Sequence, residues 1–163
     1  MPADLLGKTR IEKPIRKRKM LSSKVIEYCK AKGWWFEELS RSYADVMRDL
    51  GIPSASPFAQ FYSHAENGPV FYSRRREIYQ IGWFSINSQY KLEIKRSHEL
   101  LHLPDEYLPL DSFEGEAGFF YNRVTGEVAE LAAGKKLNDF LVGDASPQWK
   151  SFNDFLEWYF ELN

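Results

Sequence analysis

From residue 23 to residue 66 the apolar positions recur at helical spacing. Val25, Ile26 and Cys29 give residues 24–32 one apolar face, with Ser23 before them and Gly33 after. Trp34, Trp35 and Phe36 follow as an aromatic cluster. Ser42 with Asp45 has the spacing of a capping box, and Tyr43, Val46, Met47 and Leu50 line one helical face up to Gly51. Ser56 and Pro57 predict another helix start, Phe58, Phe61, Tyr62 and Ala65 its buried face, and Asn67-Gly68-Pro69 its end.

After Pro69 the period shortens toward two. Residues 70–72 and 77–84 read as strands, the second because Tyr79, Ile81 and Trp83 alternate with Gln80 and Gly82. Tyr90, Leu92 and Ile94 alternate with charged residues, a pattern that suits a strand or, by its length, a helix. Residues 107–110, 118–121 and 128–131 are strand-like, with a turn at Val124-Thr125-Gly126. Residues 132–136 read as a loop and 137–149 as irregular. Ser151 and Asp154 then open a last helix whose Phe152, Phe155, Leu156, Tyr159 and Phe160 form one apolar face. Helices, a run of mostly antiparallel strands, and a closing helix predict an α+β domain.

Composition narrows the class. Of the 163 residues, 44% are hydrophobic and 16% aromatic, enough for a packed core. The single cysteine, Cys29, rules out an intrachain disulfide framework and suits a reducing compartment. No apolar run approaches the ~20 residues of a membrane span, and the start lacks the apolar core of a secretory signal. A cytoplasmic protein with no membrane association is expected.

Charge divides the chain. Residues 1–19 carry seven basic and two acidic side chains, whereas residues 99–163 carry four basic and thirteen acidic ones. Residues 1–20 read as a basic tail on a single domain, 21–163. A basic run is suited to nucleic acid, but this one lacks the interleaved aromatics of a single-strand binder, and no direct nucleic-acid contact is expected.

Few residues carry chemistry by their spacing. His98-Glu99-Leu100-Leu101-His102 matches the HExxH pattern, in which two histidines one helical turn apart hold zinc and the glutamate acts as general base. Pro104 follows closely, and a third ligand would have to be a carboxylate such as Asp111, Glu114 or Glu116. A zinc-dependent hydrolase is therefore the alternative reading; the preferred one has no catalytic residue, no metal and no cofactor. Cys29 lies on an apolar helix face and reads as core, and Arg74-Arg75-Arg76 as a charged turn or strand edge.

The order of several motifs resembles the SUKH superfamily, which includes the fungal Smi/Knr cell-wall assembly regulators and many bacterial immunity proteins. The helix end at Asn67-Gly68 is similar to its "FY…NG" signature. The run from Leu103-Pro104 to Tyr107-Leu108-Pro109-Leu110 is similar to its strand entry. Gly118-Phe119-Phe120-Tyr121 with Thr125-Gly126-Glu127-Val128 resembles its central hairpin, and Ser151-Phe152 through Phe155-Leu156-Glu157-Trp158 its closing helix. The likeness spans residues 35–162. The fuller glycine-rich helix end is reduced here to Asn67-Gly68-Pro69, and neither the basic tail nor residues 132–150 have a counterpart.

The resemblance implies a mostly antiparallel sheet flanked by N- and C-terminal helices, and a protein-binding module rather than an enzyme. It further implies an immunity protein that neutralises a cognate toxin, of nuclease or deaminase type, by direct binding. Such toxins are basic where they bind phosphates, so acidic residues beside a turn (Asp111, Glu114 and Glu116) are candidate contacts. Trp34 and Trp35 are candidate interface anchors. Edge strands and aromatics permit a monomer or a homodimer.

Overall fold

A computed structural model describes residues 20–113 and 117–163. Three helices open the described residues: α1 (Ser23–Lys32), α2 (Arg41–Asp49) and α3 (Pro57–His64). A hairpin of β1 (Val70–Ser73) and β2 (Arg76–Tyr79) leads to α4 (Ile81–Asn87) and α5 (Tyr90–Leu101). Next come β3 (Tyr107–Pro109), β4 (Gly118–Asn122) and β5 (Val128–Leu131), then α6 (Lys135–Leu141) and α7 (Phe152–Tyr159). The fold is α+β, and both of its sheets are antiparallel.

The helix starts have direct causes. Ser56 Oγ accepts from Ala59 N at 3.2 Å with Pro57 in the first turn, and Ser151 Oγ accepts from Asp154 N at 3.1 Å. The cap of α2 is Ser40, two residues before the serine that the spacing singled out, and its Oγ accepts from Tyr43 N at 3.2 Å.

Two segments differ from the sequence expectation, and a third, open between strand and helix, is a helix. The strand expected to run to residue 84 ends at Tyr79, because Gln80 is drawn inward. Its Nε2 donates to the carbonyls of Tyr62 (2.9 Å) and Ala65 (2.8 Å), and its Oε1 caps α4 by accepting from Trp83 N at 3.0 Å. Residues 90–101 are one helix, and residues 135–141, expected as loop and irregular chain, form the short α6.

The sheets are nearly continuous. Tyr79 N donates to Leu110 O at 2.8 Å, joining the β1–β2 hairpin to the β3-β4-β5 sheet. At the far edge the Gln148 side chain imitates a strand: Oε1 accepts from Glu130 N and Nε2 donates to Glu130 O. Together with the backbone pair of Val128 and Trp149, it covers the outer edge of β5 against foreign strands.

β4 is buried along its whole length because both faces are covered. Phe119 and Tyr121 enter the main core with Phe58, Phe152, Phe155 and Tyr159, while Phe120 faces a second cluster with Leu103, Tyr107, Leu131 and Leu137. This is why Gly118–Asn122 reads as a nearly continuous apolar run.

Candidate functional site

Two places hold side chains in unusual settings. The first is a charged junction where the sheets meet. The Arg76 guanidinium lies 3.7 Å from the ring centroid of Phe119, donates to Asp111 Oδ2 at 3.3 Å and pairs with Glu130. Lys136 Nζ adds a second cation 3.7 Å from Glu130. Asp111 Oδ1 accepts from Phe113 N (3.1 Å) and Phe119 N (3.2 Å). Only 8% of Asp111 is exposed, and burial lifts its carboxyl to about 6 against the pull of Arg76 and the two amides. Asp111 therefore holds the fold with both oxygens. Glu114 and Glu116, the two acids grouped with it, lie outside the described residues, as does the basic run 1–19.

The second place is a groove of about 530 Å³ between α2 and α3. Leu39, Met47, Ile52, Pro53 and Ala59 supply its apolar wall, and Arg48, Gln60, Ser63 and His64 its polar side. A hollow of about 290 Å³, lined by Phe36, Glu38, Tyr43 and Glu66, shares Leu39, Ser63 and His64 with it. At this mouth Phe36 is 54% exposed and Leu39 46% exposed. Trp35 stacks on the His64 imidazole with centroids 4.8 Å apart, and His64 Nδ1 is 2.8 Å from the Phe36 carbonyl. Tyr43 donates to Glu66 Oε2 at 2.5 Å, and burial, then that carboxylate, raises its phenol pKa.

Local geometry explains why the groove is open. After Gly33, in the left-handed region at φ 76°, Trp35 pairs with Ala65, and Phe36 N and Ser40 N donate to the carbonyls of His64 and Ser63. The 34–40 segment is thereby tied to the end of α3, and Phe36 and Leu39 face outward. On the other side of α2, Gly82 admits the Tyr43 ring; a Cβ there would lie 2.6 Å from it.

The two tryptophans separate. Trp34 turns inward against Tyr28, Phe71 and Phe160, while Trp35 stands at the groove mouth. The sequence places Phe36 in an aromatic cluster without marking it as a site residue, and gives Leu39 no role. Their signal was present in a run of three aromatics and a leucine broken only by Glu37 and Glu38.

The HExxH string lies at the end of α5, but its histidines do not share a helical face. His102 is the C-cap residue, in the left-handed region at φ 58°. His98 Nε2 donates to the Tyr107 carbonyl at 3.0 Å and its Nδ1 is 3.6 Å from Asp105 Oδ1. Glu99 lies 3.9 Å from Lys95. Among the described residues no three His, Cys, Asp or Glu side chains converge as a metal site, and none of their helices is long and apolar enough to cross a membrane. Cys29 is fully buried, and burial pushes its thiol up to about 12, far from a nucleophile's range.

Comparison with family models, with curated proteins and with solved structures finds no match to this chain.

Proposed function

We propose that the protein is a non-enzymatic binding module that captures a partner protein in the groove between α2 and α3. By the SUKH resemblance we further propose a cytoplasmic immunity protein, its partner a cognate toxin of nuclease or deaminase type. The observation that carries the reading is the groove mouth, where Phe36 and Leu39 are exposed near Trp35 and Leu39 joins the hollow to the groove lined by Met47 and Ile52. Aromatic and aliphatic anchors beside a concave apolar wall have the character of a hot spot.

Glu38 and Glu66 line the hollow at the mouth, and Arg48, paired with Asp45, lines the groove beside it. The two carboxylates at the mouth favour a basic partner bearing an apolar protrusion, and a phosphate-binding toxin is basic. Inhibition would act by covering the toxin's cleft.

The test is co-expression of the chain with the C-terminal domains of candidate secreted toxins of nuclease or deaminase type, followed by co-purification. A stoichiometric complex that Leu39→Asp weakens roughly 10- to 100-fold supports the reading. Absence of a complex, or a complex indifferent to both Leu39→Asp and Phe36→Asp, overturns it.

A further inference from the structure

α3 and α7 start at one cleft of about 190 Å³. Pro57 and Phe152, the first residues of these two eight-residue helices, line it together with Arg123 and the Val124-Thr125-Gly126 turn. Ser56 Oγ and Ser151 Oγ each take one first-turn amide, Ala59 N and Asp154 N. Phe58 N, Phe152 N and Asn153 N keep no hydrogen-bond partner among the described residues. Two helix starts thus bring free N–H groups and the positive ends of their dipoles to one place.

Tyr121 gives an independent sign of a ligand there. Its ring is held between the two starts, stacked on Phe58 with centroids 4.0 Å apart and edge-on to Phe152 at 5.5 Å. The residue is only 5% exposed and lines the cleft. Its hydroxyl has no hydrogen-bond partner among the described residues, yet unlike that of Tyr62 it is not sealed in the core. Burial pushes the phenol up to about 12, so at neutral pH it is a protonated donor without an acceptor. Such a group costs stability until something accepts from it.

Arg123 adds the charge. Its Nη1 and Nη2 donate to the carbonyls of Leu50 and Asp105, both at 2.8 Å, which fixes the guanidinium and leaves N–H groups to spare. Among the described residues no carboxylate neutralises it, and none lines the cleft. Glu127 and Asp154 are close in the chain but lie outside the lining, and Thr125 Oγ1 donates to Glu127 at 3.0 Å. Donors on three separate elements suit a group with three or more oxygens better than the two of a carboxylate.

We propose that the cleft between the starts of α3 and α7 binds a phosphoryl group, its oxygens accepting from the Arg123 guanidinium, the Tyr121 hydroxyl and the first-turn amides of both helices. The proposal stands without the partner-binding reading. The cleft shares Pro53 with the groove between α2 and α3, but neither Phe36 nor Leu39 lines it.

The test is a titration of the full chain, with isotope-labelled amides, by inorganic phosphate at about 0.15 M salt, where loose surface attraction is screened. Saturable shifts are expected at Phe58, Phe152, Asn153 and Gly126, with half-saturation at roughly millimolar phosphate or below. Leu131 and Leu137, in the second core cluster, keep their positions. Tyr121→Phe retains the stacked ring and deletes only the unpartnered hydroxyl, so the fold is kept. Half-saturation should then rise roughly 10-fold, as for loss of one hydrogen bond to a charged group. Arg123→Gln, which removes the cation, should raise it at least as far.

A second titration with glycerol phosphate separates the sources of the phosphoryl group. Tighter binding than inorganic phosphate marks a phosphorylated metabolite as the ligand, and weaker binding marks free phosphate; both support the proposal. Absence of saturable shifts at the two helix starts overturns it. So does a folded Tyr121→Phe chain that binds phosphate as the parent does.

Discussion

The charged junction at Arg76 and the groove between α2 and α3 are opposites. At the junction, charged side chains are withdrawn from water and matched to one another: Arg76 to Asp111 and Glu130, Asp111 to two backbone amides. At the groove, apolar side chains that would gain from burial stand in water, Phe36 and Leu39 foremost. Removing one member of a matched buried set leaves the others uncompensated, so the junction governs stability. Removing an exposed apolar side chain costs the fold little, so the groove is free to serve binding. Sign of charge alone, which singles out Asp111, does not separate these roles; burial does.

The sharpest break in the comparison is Arg76→Met. It leaves Asp111 without its cation and Glu130 with only Lys136, and should cost about 3–5 kcal/mol in urea unfolding. A loss under ~1 kcal/mol would remove the junction from the structural account.

Next in size is the pH dependence carried by Asp111. Its folded carboxyl titrates at about 6, above the ~3.9 of an unfolded aspartate. Between these values the folded state binds the proton more tightly, so stability falls as pH rises from about 4 to about 6 and levels off above. The fall is of the order of 2–3 kcal/mol. Subtracting the profile of Asp111→Asn, which keeps an acceptor for Phe113 N and Phe119 N, isolates it; a flat difference across that window contradicts the burial argument.

Tyr43→Phe is intermediate, because it deletes one half-exposed hydrogen bond to Glu66 at the groove mouth. About 1 kcal/mol of stability should be lost. The smallest effect belongs to Leu39→Asp, expected within ~0.5 kcal/mol of the parent in the same unfolding assay. A large loss there would mean that the groove wall is core.

Legibility in the sequence followed the range of the interactions. The closing helix was readable because its cap, Ser151, and its apolar face lie within ten residues, and β4 and β5 were readable because each apolar run is bounded by turn residues. The segment 80–87 was not, because Gln80 is fixed by carbonyls of Tyr62 and Ala65, 18 and 15 residues away, which no local alternation reports. The same holds for Asp111, whose partner Arg76 is 35 residues distant and whose burial depends on both sheets. The groove arises from how α2, α3 and the 34–40 segment are tied together. Its aromatic cluster was visible, yet nothing in Trp34-Trp35 alone distinguishes the tryptophan that packs inward from the one at the mouth.

The most direct test of the central claim compares two variants in one calorimetric titration with the proposed toxin partner. Leu39→Asp should lose roughly 10- to 100-fold in affinity at unchanged stability. Asp111→Asn should bind as the parent does, within about two-fold, whatever its stability. The reverse result, binding kept by Leu39→Asp and lost by Asp111→Asn, would place recognition at the junction and contradict the assignment of the groove.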